Sequence, residues 1–313
     1  MLGIGVQSQN IIMDDNPMQG FSLLKKTGFT NVDFSLNGYL KNTDIYKNQI
    51  NNFFDQSKEA LLEFFAPHKE AAEKTGITIN QMHMSYPIYV PAGTEGLNQY
   101  LWNEVAKKSM LIAHFLECPY VVIHGYKLAR YLGSEELEWR ETRKLIDYLA
   151  SMYDQYGITI CVENLYDGIG GHLVEGPCCN VHRVIERIDE INRHYGAEVL
   201  GFCFDTGHAN LVGLDFESFI STLGHRLKVL HIHDNDGVAD LHQIPFTFTK
   251  TRENATSTDW NGFIKGLRNI GYDKVLSFET APVLSTFPKQ LKGSALSMIA
   301  QIGHYFSDEI TKT

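Results

Sequence analysis

The sequence predicts an α/β fold, a (β/α)8 TIM barrel that fills a single domain over residues 1–313. Two observations predict it. Short apolar runs alternate with helix-period segments eight times, which implies a parallel sheet and, at eight units, closure into a barrel. In addition, several apolar runs break abruptly into His, Asp or Glu, as strands do where their C-terminal ends open into a polar pocket.

LGIGVQ (2–7) reads as the first strand, with a helix beginning near Phe21, and NVDFSL (31–36) as the second strand. The Asn-rich stretch from Tyr39 to Gln56 is too long for a simple βα loop and reads as a lid or a solvated insertion. A helix from Ser57 to Lys74 carries apolar spacing at Leu61, Leu62, Phe64, Phe65 and Ala71. ITINQMHM ends the third strand at His83, a helix covers Asn98 to Leu116, and PYVVIHGY ends the fourth strand at His124. EELEWRETRKLIDYLASMYDQYG is an amphipathic helix stopped by Gly157.

ITICVENLYD follows, with Glu163 at the strand end. The loop DGIGGH lacks the G-x-G-x-x-G spacing of a dinucleotide site. VHRVIERIDEINRHYG then leads to LGFCFDTGH, and FESFISTLGHR to LKVLHIHDND. After the irregular PFTFTKTRENATST, the helix DWNGFIKGLRNIG leads to KVLSFET, ending at Glu279, and a last helix covers Phe287 to Phe306.

Composition narrows the function classes. Lys and Arg total 27 against 37 Asp and Glu, a formal charge of -10, and no basic stripe stands out to track a phosphate backbone, so nucleic acid is a poor partner. The five cysteines are odd in number, and Cys161 and Cys203 fall inside strand-like runs, which reads as reduced thiols of a cytoplasmic protein. No basic-then-apolar leader is visible at MLGIGVQSQN, and no apolar run approaches the roughly 20 residues of a membrane span.

Seven strand-end residues converge on one face of such a barrel: His83, His124, Glu163, Asp205, His208, His233 and Glu279. Taken singly, a strand histidine is more often a hydrogen-bonded core residue, and a lone Glu pairs with a neighbouring Arg. Seven together point to a metal site. Glu163, Asp205, His233 and Glu279 make an O3N ligand set suited to Mn²⁺, Co²⁺, Mg²⁺ or Zn²⁺. His231 shares a strand side with His233 by its period of two and reads as a second ligand candidate or a buried support.

VENLYD, FDTGHANLVG, HIHDNDG and SFET give the chain its resemblance to the xylose isomerase-like TIM barrel superfamily, over nearly its whole length. That superfamily holds sugar epimerases and isomerases of the tagatose 3-epimerase type and abasic-site nucleases of the endonuclease IV type. Resemblance to the epimerases implies one divalent ion on Glu163, Asp205, His233 and Glu279. It also implies a substrate contact from His208, and Glu163 and Glu279 as paired acid and base for proton transfer beside a sugar carbonyl. His83, His124, Asp240 and His242 are then further substrate contacts. The substrate would be a small sugar or sugar phosphate, with Lys250 and Arg252 available to a phosphate, and a homo-oligomer is compatible with the family.

Resemblance to the nucleases implies instead three zinc ions on His83, His124, Glu163, Asp205, His208, His233, Asp240, His242 and Glu279. Against it stand the acidic charge, QIPFTFTKTREN in place of a glycine-rich continuation, and VENLYDGIGG in place of an ENTAGQG-like motif. Lyase or dehydratase chemistry on a polyol is a third alternative. Tyr86, Tyr89, Tyr126, Tyr166 and Trp260 are candidates for stacking on a sugar face, with Thr258 and Asp259 suggesting a helix cap at Trp260 first.

Overall fold

The computed structural model describes residues 1–128, 134–248 and 258–312. Eight parallel strands form the barrel: β1 (Gly3–Gln7), β2 (Asn31–Ser35), β3 (Thr78–His83), β4 (Tyr120–Ile123), β5 (Thr159–Glu163), β8 (Leu200–Asp205), β9 (Leu227–His231) and β10 (Val275–Phe278). The remaining two, β6 (Tyr166–Ile169) and β7 (His172–Glu175), pair antiparallel outside it. Sheet order is β10-β1-β2-β3-β4-β5-β8-β9. Closure between β9 and β10, the two ends of that order, comes at a parallel bridge of Ile232 to Phe278, where Glu279 N donates to Ile232 O at 3.0 Å. The eight βα units expected from the sequence are therefore present.

The barrel strands are buried on both faces, as near-continuous apolar runs require. Outside them the helices start where short polar side chains cap them. Asn16, Ser57, Thr94, Asn180, Asp215 and Asp259 each accept a backbone N–H from the first turn. The capping role read for Asp259 ahead of Trp260 holds, and Trp260 packs on Phe263 and Phe306 away from the site.

Several boundaries differ from the sequence reading. The helix expected to end at Gly157 stops at Ala150, and a separate turn Tyr153–Tyr156 meets the left-handed Gly157. The helix expected from Asn98 begins at Glu95 and passes through π-helical turns at Leu101–Ala106. DGIGGH is the tip of the β6–β7 hairpin, where Gly170 and Gly171 take φ of 57° and 83°, the left-handed values a tight hairpin turn needs. All five cysteines are buried free thiols. Among the described residues, no helix is long and apolar enough to cross a membrane. Lys250 and Arg252 lie outside the described residues.

Candidate active site

The C-terminal rim collects the predicted residues at one place. His83 and Glu163 are the last residues of β3 and β5, and Asp205 and His231 of β8 and β9. His124 and Glu279 each stand one residue past β4 and β10. His208 lies in the first turn after β8, and Asp240 and His242 come from the loop beyond β9.

Glu163 is the hub. Its Oε2 lies 3.3 Å from His124 Nε2, 3.7 Å from His83 Nε2 and 3.4 Å from His231 Nδ1, and its Oε1 lies 3.0 Å from His208 Nδ1. Nδ1 of His231 also stands 3.5 Å from Glu279 Oε2 and 3.9 Å from Asp205 Oδ2. His231 is thus the imidazole that faces all three carboxylates. His233, named from the sequence as the ligand, sits one layer further out, with Nε2 3.0 Å from Asp205 Oδ2 and its ring stacked on His242 at 4.0 Å. Both histidines point inward, because a period of two gives them the same strand side. Successive inward positions rise by about 6–7 Å along the barrel, so only one is level with Glu163 and Glu279. Gly207 makes room for the outer ring, since a Cβ there would stand 1.9 Å from His233 Cε1.

Backbone carbonyls orient the other imidazoles. Nδ1 of His83 lies 2.7 Å from Met84 O, Nδ1 of His208 3.1 Å from Asn164 O, and Nδ1 of His242 3.0 Å from Glu279 O. An Nδ1–H donated to a carbonyl fixes the ring with Nε2 turned into the site, the usual support of a metal-ligating histidine. Those of His208 and His242 converge on Asp240 Oδ2 at 3.3 and 3.2 Å. Asp205 Oδ1 caps the following helix by accepting His208 N, which turns Oδ2 toward the site, and Gln7 Nε2 donates to Glu279 Oε1 at 2.7 Å.

Imidazoles supply the positive charge that faces the buried carboxylates. Among the described residues, only histidines pair with Glu163, Asp205, Asp240 and Glu279. Burial opposes ionisation of Glu163, yet His231 and His124 outweigh it and hold the carboxyl well below the usual range. Asp205 is lowered against burial by His208 and His233, and Asp240 is lowered against burial by His208 and His242. The same carboxylates overcome burial to raise His208 and His231 well above an ordinary imidazole and His242 to about 9, whereas burial pulls His124 down to about 4. Both oxygens of Glu163, both ring nitrogens of His231 and Oδ1 of Asp240 lack an aligned hydrogen bond. Buried polar atoms in this number need a partner. The donor set of carboxylate oxygens and imidazole nitrogens fits a divalent ion.

Above the cluster lies a cavity of about 360 Å³ lined by His124, His208 and Asp240 and by Tyr46, Tyr86, Tyr89, Tyr126 and Tyr166. Four of these tyrosines were expected there from the sequence. Tyr46, with Asn42, reaches the cavity from a short helix, Asn42–Tyr46, inside the Asn-rich stretch. The rest of that stretch is anchored by Tyr39 and Phe53 stacked at 4.6 Å over Phe64 and Phe65. Residues the sequence reading passed over are Gln7, Asp33 and Gln81. Each is a polar side chain interrupting an inward-facing apolar strand, and that interruption was the available signal.

The chain belongs to the xylose isomerase-like TIM barrel family, whose model matches residues 21–298. An inosose isomerase of Bacillus velezensis is 24% identical over 177 residues, 55% of this chain and 57% of that protein. The chain spans 52%, 63% and 57% of the length of the curated relatives it matches. A 3-keto-D-glucoside 4-epimerase of E. coli superposes with a TM-score of 0.65 at 13% identity, covering 96% of this chain and 100% of that one. A D-allulose 3-epimerase of Methylomonas superposes at 0.66 and 13% identity, covering 98% and 96%. At these identities the superpositions speak for the fold.

Proposed function

We propose that this chain is a divalent-metal-dependent sugar isomerase or epimerase. The observation that carries the reading is the placement of His231 Nδ1 at 3.4, 3.5 and 3.9 Å from Glu163, Glu279 and Asp205. These four residues would hold the ion. When bound, it would supply positive charge to neighbouring substrate oxygens as a proton leaves the carbon between them. Glu163, held anionic by His231 and His124, serves as base toward that carbon. For an epimer, Glu279, oriented by Gln7, gives a proton of its own to the opposite face, and both carboxyls regain their starting states by exchange with solvent. For aldose–ketose interconversion, Glu163 hands its proton back on the same face to the neighbouring carbon while a hydroxyl proton passes between the two substrate oxygens. His124 and His208 at the cavity floor contact hydroxyls, and the tyrosine walls suit the apolar face of a sugar ring. The relatives bearing sugar epimerase and isomerase names support this substrate class.

The test is turnover across a panel of ketoses and inososes with Mn²⁺, Co²⁺, Zn²⁺ or Mg²⁺. Glu163→Gln and Glu279→Gln should each abolish it while the fold persists by circular dichroism. Unimpaired turnover in both variants overturns the reading.

One observation favours a second reading. His83, His124 and Glu163 form one ligand group, and His208, Asp240 and His242 form another beside it. One ion leaves His83, His124, His208, Asp240 and His242 without a ligand role, whereas a metal-dependent hydrolase with several ions would use all of them.

A further inference from the structure

His231 has two ring nitrogens, and only Nδ1 faces the carboxylates of the proposed metal site. Nε2 points the other way, into the barrel, where Asp33 Oδ2 stands 3.2 Å from it. Asp33 is completely buried on β2 and, among the described residues, meets no lysine or arginine. Its own holder is Gln81 of β3, whose Nε2 donates to Asp33 Oδ2 at 3.3 Å and to Leu230 O at 3.1 Å. Gln81 is fixed in turn by Asn80 Nδ2, donating to Gln81 Oε1 at 3.0 Å. A chain Asn80–Gln81–Asp33–His231 therefore runs from the barrel interior to the site. A buried carboxylate is costly unless it accepts hydrogen bonds from well-placed donors. Beyond the amide of Gln81, the polar group closest to this one is the Nε2 of His231, at 3.2 Å.

We infer that Asp33 is a positioning residue that keeps the proton of His231 on Nε2 and so presents Nδ1 to a divalent cation. The carboxylate fixes the tautomer and the plane of the ring, and it raises the basicity of the nitrogen on the far side. The inference rests on the metal-site reading above and names a residue that neither touches the cation nor reaches the substrate. The contact is 3.2 Å long but not aligned as a hydrogen bond. An ion drawing Nδ1 toward Glu163 and Glu279 would rotate the ring about a pivot that Asp33 holds.

The experiment compares wild type, Asp33→Asn, Gln81→Leu and Glu163→Gln. Mn²⁺ affinity is measured by competition with a chelating dye, and the tautomer of His231 by ¹⁵N chemical shifts of the metal-free protein at a pH where the ring has lost its second proton, assigned by the resonance that His231→Gln removes. In Asp33→Asn the amide can offer its own N–H to Nε2 and favour the opposite tautomer. Mn²⁺ binding should weaken about 10–100-fold, with the His231 signals leaving the Nε2–H pattern. Gln81→Leu should shift both readouts in the same direction by less. Unchanged affinity and an unchanged tautomer in Asp33→Asn, in a protein whose Glu163→Gln variant loses Mn²⁺, overturn the role of Asp33 alone. Absence of Mn²⁺ binding in the wild type overturns the metal-site reading itself, while the tautomer of the metal-free protein still reports on the Asp33 contact. Thermal unfolding of the metal-free variants separates a folding defect from a lost ligand.

Discussion

His83 and His124 present their Nε2 atoms to each other at 3.2 Å, over Glu163 Oε2. Nδ1–H of His83 is committed to Met84 O, and burial is overcome by Glu163, which raises its pKa and favours a proton on Nε2, whereas burial keeps His124 down at about 4, neutral at pH 7. Two imidazole nitrogens this close need a proton or a cation between them. With His124 assigned to substrate hydroxyls, metal content after dialysis at neutral pH is expected to be one ion per chain, both in the wild type and in the His83→Ala/His124→Ala double variant. A content above one that falls by one in the double variant assigns the two imidazoles to a second ion and favours the hydrolase reading.

The layering of His231 and His233 separates their roles. Replacing His231 removes the nitrogen that faces three carboxylates and leaves those charges buried without it, so His231→Ala should lose Mn²⁺ affinity by 100-fold or more, about 3 kcal/mol. His233 touches Asp205 and stacks on His242, and His233→Ala should retain the ion with about a tenfold loss. Isothermal titration of the two variants decides between them, and the reverse ranking would restore His233 as the ligand.

Much of this arrangement was legible in the chain because a buried parallel strand has few ways to look. LGFCFD, and ITICVE after Thr159, are apolar until their last residue, and that last residue is where the barrel opens. The period of two also told that His231 and His233 share a side, but not which layer is level with Glu163. That level depends on the stagger of β9 against β5 and β10, a property of closure that no single strand carries. The β6–β7 hairpin escaped because its strands are short and half exposed, held by a Gly-Gly turn instead of by an apolar pattern. Asp33 and Gln81 escaped for the opposite reason. Strong apolar neighbours make such runs read as core, and the partners of Asp33, which are Gln81 and His231, are distant in sequence.

Asp14 ties three segments together outside the site. Its Oδ1 accepts from Tyr39 OH at 2.6 Å and meets His68 Nε2 at 3.1 Å, which joins the turn after β1 to the helix Lys58–Thr75 and to the stretch that reaches the cavity. Burial works against its ionisation, but His68 and Tyr39 prevail and lower its pKa. A lowered carboxyl contributes stability above its unfolded value of about 3.9, and that stability is lost as pH falls through the folded value. The side chain is 48% exposed, so screening limits the effect to roughly 1 kcal/mol or less. Asp14→Asn should lower Tm by about 2–4 °C at most at pH 7. The gap to wild type should close on acidification below about pH 4, the range set by the unfolded carboxyl. A gap that is constant from pH 7 to pH 3 would assign the loss to packing.

Gln7 is the test of the acid–base pair that leaves both acids in place. Its amide donates to Glu279 Oε1 at 2.7 Å from the last position of β1, while Glu279 Oε2 faces His231 and His242. Holding one oxygen by a neutral donor fixes the direction of the other without supplying a competing charge. Gln7→Leu keeps the strand apolar and removes that hold, leaving Glu279 free to rotate between productive and idle orientations. A hydrogen bond to a charged group contributes about 1.5–3 kcal/mol, so kcat should fall by about 10–100-fold. KM should stay within about twofold, because the cavity walls that contact the ring are untouched. Steady-state kinetics on whichever sugar the panel identifies gives both numbers. A rise in KM at constant kcat would move Glu279 from proton transfer to substrate binding.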